Sequence, residues 1–128
     1  MNERMKTSKK THERLEAMQK SLKFSTKAAL ARIAIGYSLR FEGDPRQDEE
    51  FLIVDNSGFE FQRSTLTGDQ DYIYKIMVIQ HINKHIEDSE YYPKLLKAHL
   101  ERGLKYLYSE FQYLGNRDKF FDFLLKVK

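Results

Sequence analysis

Nine residues near the start of the chain have the types and spacing to hold phosphate: Arg4, Lys6, Lys9, Lys10, Lys20, Lys23, Ser25, Thr26 and Lys27. Guanidinium and ammonium groups give charge-assisted hydrogen bonds to phosphate oxygens. Arginine can also pair bidentately with guanine, whereas lysine is a flexible point charge that more often meets phosphate. Arg4-Met5-Lys6-Thr7-Ser8 alternates, so an extended strand would put Arg4, Lys6 and Ser8 on one face and Met5 and Thr7 on the other. A two-stranded ribbon of this kind fits the major groove of duplex DNA. No Asn or Gln lies on that face between Arg4 and Ser8, so sequence-specific base reading should be poor. At the expected start of a second helix, Ser25, Thr26 and Lys27 place backbone N–H groups beside a cation, which makes a phosphate clamp.

The charge distribution supports this reading. Residues 1–40 carry ten Lys or Arg against Glu3, Glu13 and Glu16, a balance of +7, whereas the rest of the chain is −4. A net charge of +3 therefore conceals a strongly polar molecule.

Other residues that could do chemistry have simpler explanations. His81 and His85 stand four apart, a spacing able to chelate a metal, but Ile82 replaces the glutamate of a zincin motif and no third ligand is apparent. Asp69 and Asp71 suit the first turn of a helix, where carboxylates complement the dipole. Ser25 and Ser64 have no histidine constellation around them, and no phosphate-binding glycine loop occurs. With no cysteine, the chain has no disulfide, no zinc–thiolate site and no sulfur atom on which to carry a persulfide. The expectation is a non-enzymatic protein with no metal and no cofactor. No run approaches the roughly 18 apolar residues of a membrane span, and the polar start lacks an apolar signal core, so a cytoplasmic protein without membrane partners is expected.

The elements that would position the cations form a mainly α fold. It comprises an N-terminal ribbon-helix-helix unit (1–40), then an added β-hairpin and C-terminal helices (41–128) within one folding unit. Ser8 should cap a helix running to about Leu22, with Leu15, Met18 and Leu22 as its apolar stripe. After a tight turn at Lys23 and Phe24, Ser25 should cap a helix over Thr26 to Leu39, in which Ala28, Ala29 and Ala31 permit close packing. Forty residues cannot build an independent core, and pairing the basic strand with its twin from a second chain would satisfy an exposed edge, so a homo-oligomer is expected.

Phe41 to Glu50 reads as a linker, and Phe51 to Val54 with Phe59 to Arg63 as a hairpin around Asp55-Asn56-Ser57-Gly58. A helix follows over Asp69 to about Ile86, with Ile73, Ile76, Met77 and Ile79 to Ile82 at core spacing. Another runs from near Pro93 to Leu114 with Leu96, Leu100, Leu104 and Leu107 as its stripe, and a short aromatic helix spans Asp118 to Lys126. Phe121 and Phe123 are expected to make a subunit contact.

Four segments in order resemble the DndE family of DNA sulfur-modification proteins. They are Lys6-Thr7-Ser8, Ala31-Arg32-Ile33-Ala34-Ile35-Gly36-Tyr37-Ser38-Leu39-Arg40, Glu60-Phe61-Gln62-Arg63-Ser64-Thr65-Leu66-Thr67-Gly68, and Ala98-His99-Leu100-Glu101-Arg102-Gly103. The turn that commonly carries glycine in such proteins reads Ser21-Leu22-Lys23-Phe24 here. The resemblance implies a ribbon-helix-helix unit with a helical addition, a homo-oligomer (a tetramer), binding to double-stranded DNA with nicked duplex preferred, and a DNA-binding turn at Lys20 and Lys23. It also implies other DNA phosphorothioation proteins as partners, which would supply a desulfurase, an iron–sulfur enzyme and an ATPase. Two further readings are compatible with the residues: an assembly scaffold of the modification complex, and a ribbon-helix-helix transcriptional repressor.

Overall fold

Ser8 sets the start of the first helix. In the computed structural model, which describes residues 3–126, it caps α1 (Lys9–Leu22), and its hydroxyl accepts from the Thr11 N–H at 3.1 Å. Leu15, Met18 and Leu22 are buried along one side, as their spacing requires. α1 ends at Lys23, which takes the left-handed conformation (φ 61°, ψ 38°) where related turns commonly use glycine, and donates its N–H to the Gln19 carbonyl. α2 (Lys27–Ser38) is capped by Thr26 rather than Ser25: Thr26 Oγ1 accepts from the Ala29 N–H at 3.1 Å, and Ser25 is exposed.

The basic strand β1 (Arg4–Lys6) precedes α1, so the order strand, helix, helix is present. Its partner, however, is β2 (Glu60–Gln62) of the same chain, antiparallel, with Arg4 opposite Gln62, Met5 opposite Phe61 and Lys6 opposite Glu60. The strand thus pairs within the chain, and this pairing does not confirm the expected ribbon between two chains. Met5 and Phe61 both point into the core, which fixes this register, and Arg4 and Lys6 face solvent. Ser8 does not share their face. It is buried, like Thr7, because its hydroxyl and N–H are used internally.

The predicted hairpin is absent as well. Asp48 accepts from the Glu50 N–H at 2.9 Å and starts α3 (Glu49–Leu52), so the Phe51 run begins as a helical turn with Ile53 73% exposed. The acidic stretch before it is ordered. Asp44 caps a 3-10 turn over Pro45–Gln47 and grips the Arg46 guanidinium at 2.7 Å. Beyond β2 come α4 (Arg63–Leu66), α5 (Asp71–Ile82), α6 (Leu96–Leu114) and α7 (Arg117–Lys126). On α5 only part of the expected core stripe faces inward: Ile79 and Ile82 pack against the core, whereas Ile73, Ile76 and Met77 are exposed, Ile76 by 58%. Asp71 is pinned inward by Arg63 at 2.7 Å, and Val78 is buried, so the opposite side of the helix is turned to solvent.

α6 is the central element. Leu96, Leu100, Leu104 and Leu107 are fully buried, matching their stripe, and α2 lies directly against the same helix. The approach is close because Gly103 faces Ala34: a Cβ built on Gly103 would lie 1.8 Å from the Ala34 carbonyl oxygen. Two adjacent charged residues of α6 then hold both N-terminal helices. Glu101 accepts from the Ser8 N–H at 3.0 Å, the Ser8 hydroxyl at 2.7 Å and the Thr11 hydroxyl at 2.7 Å, so it seals the N-terminus of α1. Arg102 donates to Ser38 Oγ at 2.9 Å and to the Ser38, Phe41 and Gly43 carbonyls at 2.8, 3.2 and 2.9 Å, so it seals the C-terminus of α2.

Each charge opposes the partial charge of the helix end it meets. The Ser38 hydroxyl, accepting from Arg102, is left to donate to His99 Nδ1 at 2.8 Å. Burial, reinforced by Arg102 and His81, pulls the His99 imidazole down to about 3, so it is neutral at ordinary pH.

Because α2 and α6 touch through backbone at Gly103, Gly103→Ala should force the two helices apart and destabilise the fold by about 2 kcal/mol. Urea unfolding would show this as a lower midpoint. An unchanged midpoint would mean that the helices are not in this close contact.

Candidate nucleic-acid interface

The nine sequence-predicted residues all lie on the strand-helix-helix segment, but they fall into separate groups. Arg4 and Lys6 point outward from β1, and Lys9 and Lys10 are exposed on the first turn of α1. Lys20 and Lys23 are exposed at the other end of that helix, which at 14 residues is roughly 20 Å away. Ser25 and Thr26 continue the turn, exposed, with the Thr26 oxygen engaged as a helix cap. Lys27 is half-buried, and its ammonium lies 5.2 Å from the centre of the Phe59 ring, on the β2 side of the molecule.

The turn is anchored from beneath by α7. Arg117 donates to the Leu22 carbonyl at 3.0 Å and stacks over Phe121 at 4.8 Å, while Phe24 packs on Phe121 with ring centres 6.0 Å apart. Phe123 meets Tyr37 at 6.1 Å. These aromatics, expected to contact a second subunit, therefore have partners within the chain.

The two halves of the chain differ sharply in what their cations do. From Arg46 onward, Arg46, Arg63, Lys75, Lys94, Lys105 and Lys126 sit in ion pairs, Lys97, Arg102 and Arg117 donate to backbone carbonyls, and Lys84 and Lys119 are exposed with no ion pair among the described residues. Among the described residues, Lys6, Lys9, Lys10, Lys20, Lys23 and Lys27 have no carboxylate within ion-pair distance, and Arg4 only reaches Glu60 at 3.9 Å. Unpaired cations on one segment leave their field directed to solvent, the condition for attracting a polyanion. Arg32 is an exception to the functional pattern, since it donates to the Thr65 and Leu66 carbonyls at 3.3 and 3.1 Å and so holds α4 to α2. Arg14 went unselected in the sequence although it stands one turn from Lys10, a spacing that puts the two cations on one helix face.

The remaining candidates are structural. His81 donates through Nε2–H to the Phe41 carbonyl at 2.8 Å, whereas Asn83 (φ 55°) ends α5 and leaves His85 outside the helix, exposed beside Glu87. The two rings do not share a helix face, and no group of three or more metal-ligating side chains occurs among the described residues. Asp71 is buried in a network around Arg63. The guanidinium bridges Asp71 and Asp88 at 2.7 and 2.8 Å between the rings of Tyr91 and Tyr92, both about 5 Å away. Burial would raise the Asp71 carboxyl, but hydrogen bonds from Arg63, Thr67 and Tyr91 outweigh it and hold it below its usual range. The Arg63 guanidinium is raised in turn by its hydrogen bonds to Asp88 and Asp71. Every charge in this cluster is satisfied, so it holds α4, α5 and the approach to α6 together and leaves nothing over for a substrate.

No helix among the described residues is long and apolar enough to cross a membrane. A search of curated proteins finds no match to the chain. The family model described as DNA sulphur modification protein DndE matches residues 4–115, which take in the strand, both basic helices, the Arg63 cluster and all of α6. The chain accordingly belongs to the DndE family, and with it to the machinery of DNA sulfur modification.

Proposed function

We propose that this chain is the DNA-binding component of its modification system, gripping duplex through phosphates and performing no chemistry of its own. The observation that carries the reading is the contrast in ion pairing: among the described residues the lysines of β1, α1 and the α1–α2 turn have no carboxylate partner and Arg4 has only Glu60 at 3.9 Å, whereas Arg46, Arg63, Lys75, Lys94, Lys105 and Lys126 of the later chain sit in ion pairs. Phosphate contacts fix position without reading sequence, which suits a protein that presents DNA to other modification proteins. The absence of cysteine supports a division of labour in which partners carry the sulfur. Nicked duplex is the preferred ligand in this reading, because a break lets the backbone bend between cation groups set roughly 20 Å apart along α1.

Self-association belongs to the same proposal. Tyr72, Ile73, Ile76 and Met77 form an exposed apolar stripe on α5 that a second copy would cover. β1 has one edge occupied by β2, so a ribbon shared between copies would have to use its other edge. A tetramer needs a second self-contact besides α5, and that edge is the available one.

Two measurements test these statements. Binding of one labelled duplex, intact and then nicked, should weaken with salt, with a log–log slope of about −7 if a dimer neutralises on the order of 8 phosphates. Changing Lys9, Lys10, Lys20 and Lys23 to Ala should abolish most binding while the protein stays oligomeric. Salt-independent binding, or none at low salt, would refute the reading and favour the scaffold. In sedimentation, Ile76→Glu with Met77→Glu should lower the oligomer mass, and an unchanged mass would remove α5 as the self-association face.

A further inference from the structure

Arg14 differs from the exposed lysines of the basic segment in having a built environment. Its Nε is enclosed and has no hydrogen-bond partner, and its guanidinium lies over the Tyr108 ring, 5.7 Å from the centre. It stands in a groove of about 410 Å³ between α1 and α6, which Lys10 and Lys105 also line. The carboxylates nearby are committed. Glu101 accepts from Ser8 and Thr11, Asp55 accepts from the Lys9 and Ser57 N–H groups at 2.8 and 2.9 Å, and Glu50 pairs with Lys105. Glu13, on the rim, is the other acid facing the groove and makes no ion pair among the described residues.

We propose that this groove seats one phosphodiester group of bound DNA, with the Arg14 guanidinium as its principal donor and Lys10 beside it. A buried guanidinium N–H without an acceptor is an unsatisfied group, and an oxyanion is the acceptor that matches its planar fork. The Tyr108 ring beneath the guanidinium, 5.7 Å from its carbon, holds the group at the groove. Lys10 is one helical turn before Arg14, so both reach the same oxyanion. The seat lies part-way along α1, between the first turn and the α1–α2 turn. The inference takes its ligand from the DNA-binding reading, but the seat itself can be examined without DNA.

The test follows the Arg14 Nε–H resonance in ¹⁵N-labelled protein during titration with dimethyl phosphate, with inorganic phosphate and with a short duplex. The affinity of Arg14→Gln and Arg14→Lys for the same duplex is measured across salt in parallel. The resonance should move with the diester and with duplex, and Arg14→Gln should lose roughly three- to tenfold in affinity with a salt slope smaller by about 1. Arg14→Lys, which keeps the charge and loses the fork, should recover the slope and not the affinity.

Movement with inorganic phosphate alone would reduce the groove to a free-phosphate site and overturn the proposal. If duplex binds while the resonance is still and Arg14→Gln is unchanged, the seat is wrong and the DNA-binding reading stands. If the diester moves the resonance but no duplex binds, the seat stands as a diester site and the DNA-binding reading fails. The wild-type titration needs no variant, so a misfolded substitution cannot obscure the answer.

Discussion

Two neighbouring buried charges on one helix hold the molecule together. Glu101 and Arg102 leave α6 in different directions, the carboxylate to the N-terminus of α1 and the guanidinium to the C-terminus of α2. Burying a charge is expensive unless it is fully hydrogen-bonded, and both are. Glu101 takes three donors from Ser8 and Thr11, and Arg102 takes Ser38 together with the carbonyls that follow α2. The ends of two helices, each with backbone groups that have no partner in their own helix, are thereby tied to a third.

This arrangement bears on the candidate interface. A basic segment of about forty residues with little apolar surface could not order itself, and it does not have to, since α6 supplies both its core and its end caps. Its exposed lysines take no part in the internal hydrogen bonding and so are left to face solvent. α7 completes the support from below the turn, through Arg117 on the Leu22 carbonyl and Phe121 against Phe24. Lys23 can then take a left-handed backbone conformation that costs a non-glycine residue some strain, because the turn on either side of it is fixed.

Much of this was legible in the sequence, where the signal was local. The caps at Ser8 and near Ser25, the stripes of α1 and α6, and the alternation of Arg4 to Thr7 each follow from a few adjacent residues, and each appears in the fold within a residue or so. Failures came where a distant partner decided the outcome. Phe51 to Val54 has strand composition, yet Asp48 starts a helix there and β1 takes the pairing position with β2. The helical period of α5 holds, and Ile79 and Ile82 meet the core, but Arg63 pulls Asp71 inward and turns Ile73, Ile76 and Met77 out. Ser8 was assigned to the outward face because nothing near it in sequence announces Glu101, 93 residues away. Of the site, the lysines could be listed from composition, but which cations are already neutralised could not, because ion pairing is a property of the fold.

The central claim is that DNA is held by the strand-helix-helix segment and not by the acidic remainder of the chain. Amide hydrogen exchange with and without duplex tests it most directly, because it locates the contact without altering any residue. The account expects slowed exchange over residues 4–27, concentrated in the first turn of α1 and in the Lys20 to Thr26 turn. Protection confined to residues 41–126, or absent under conditions in which duplex is bound, would contradict it.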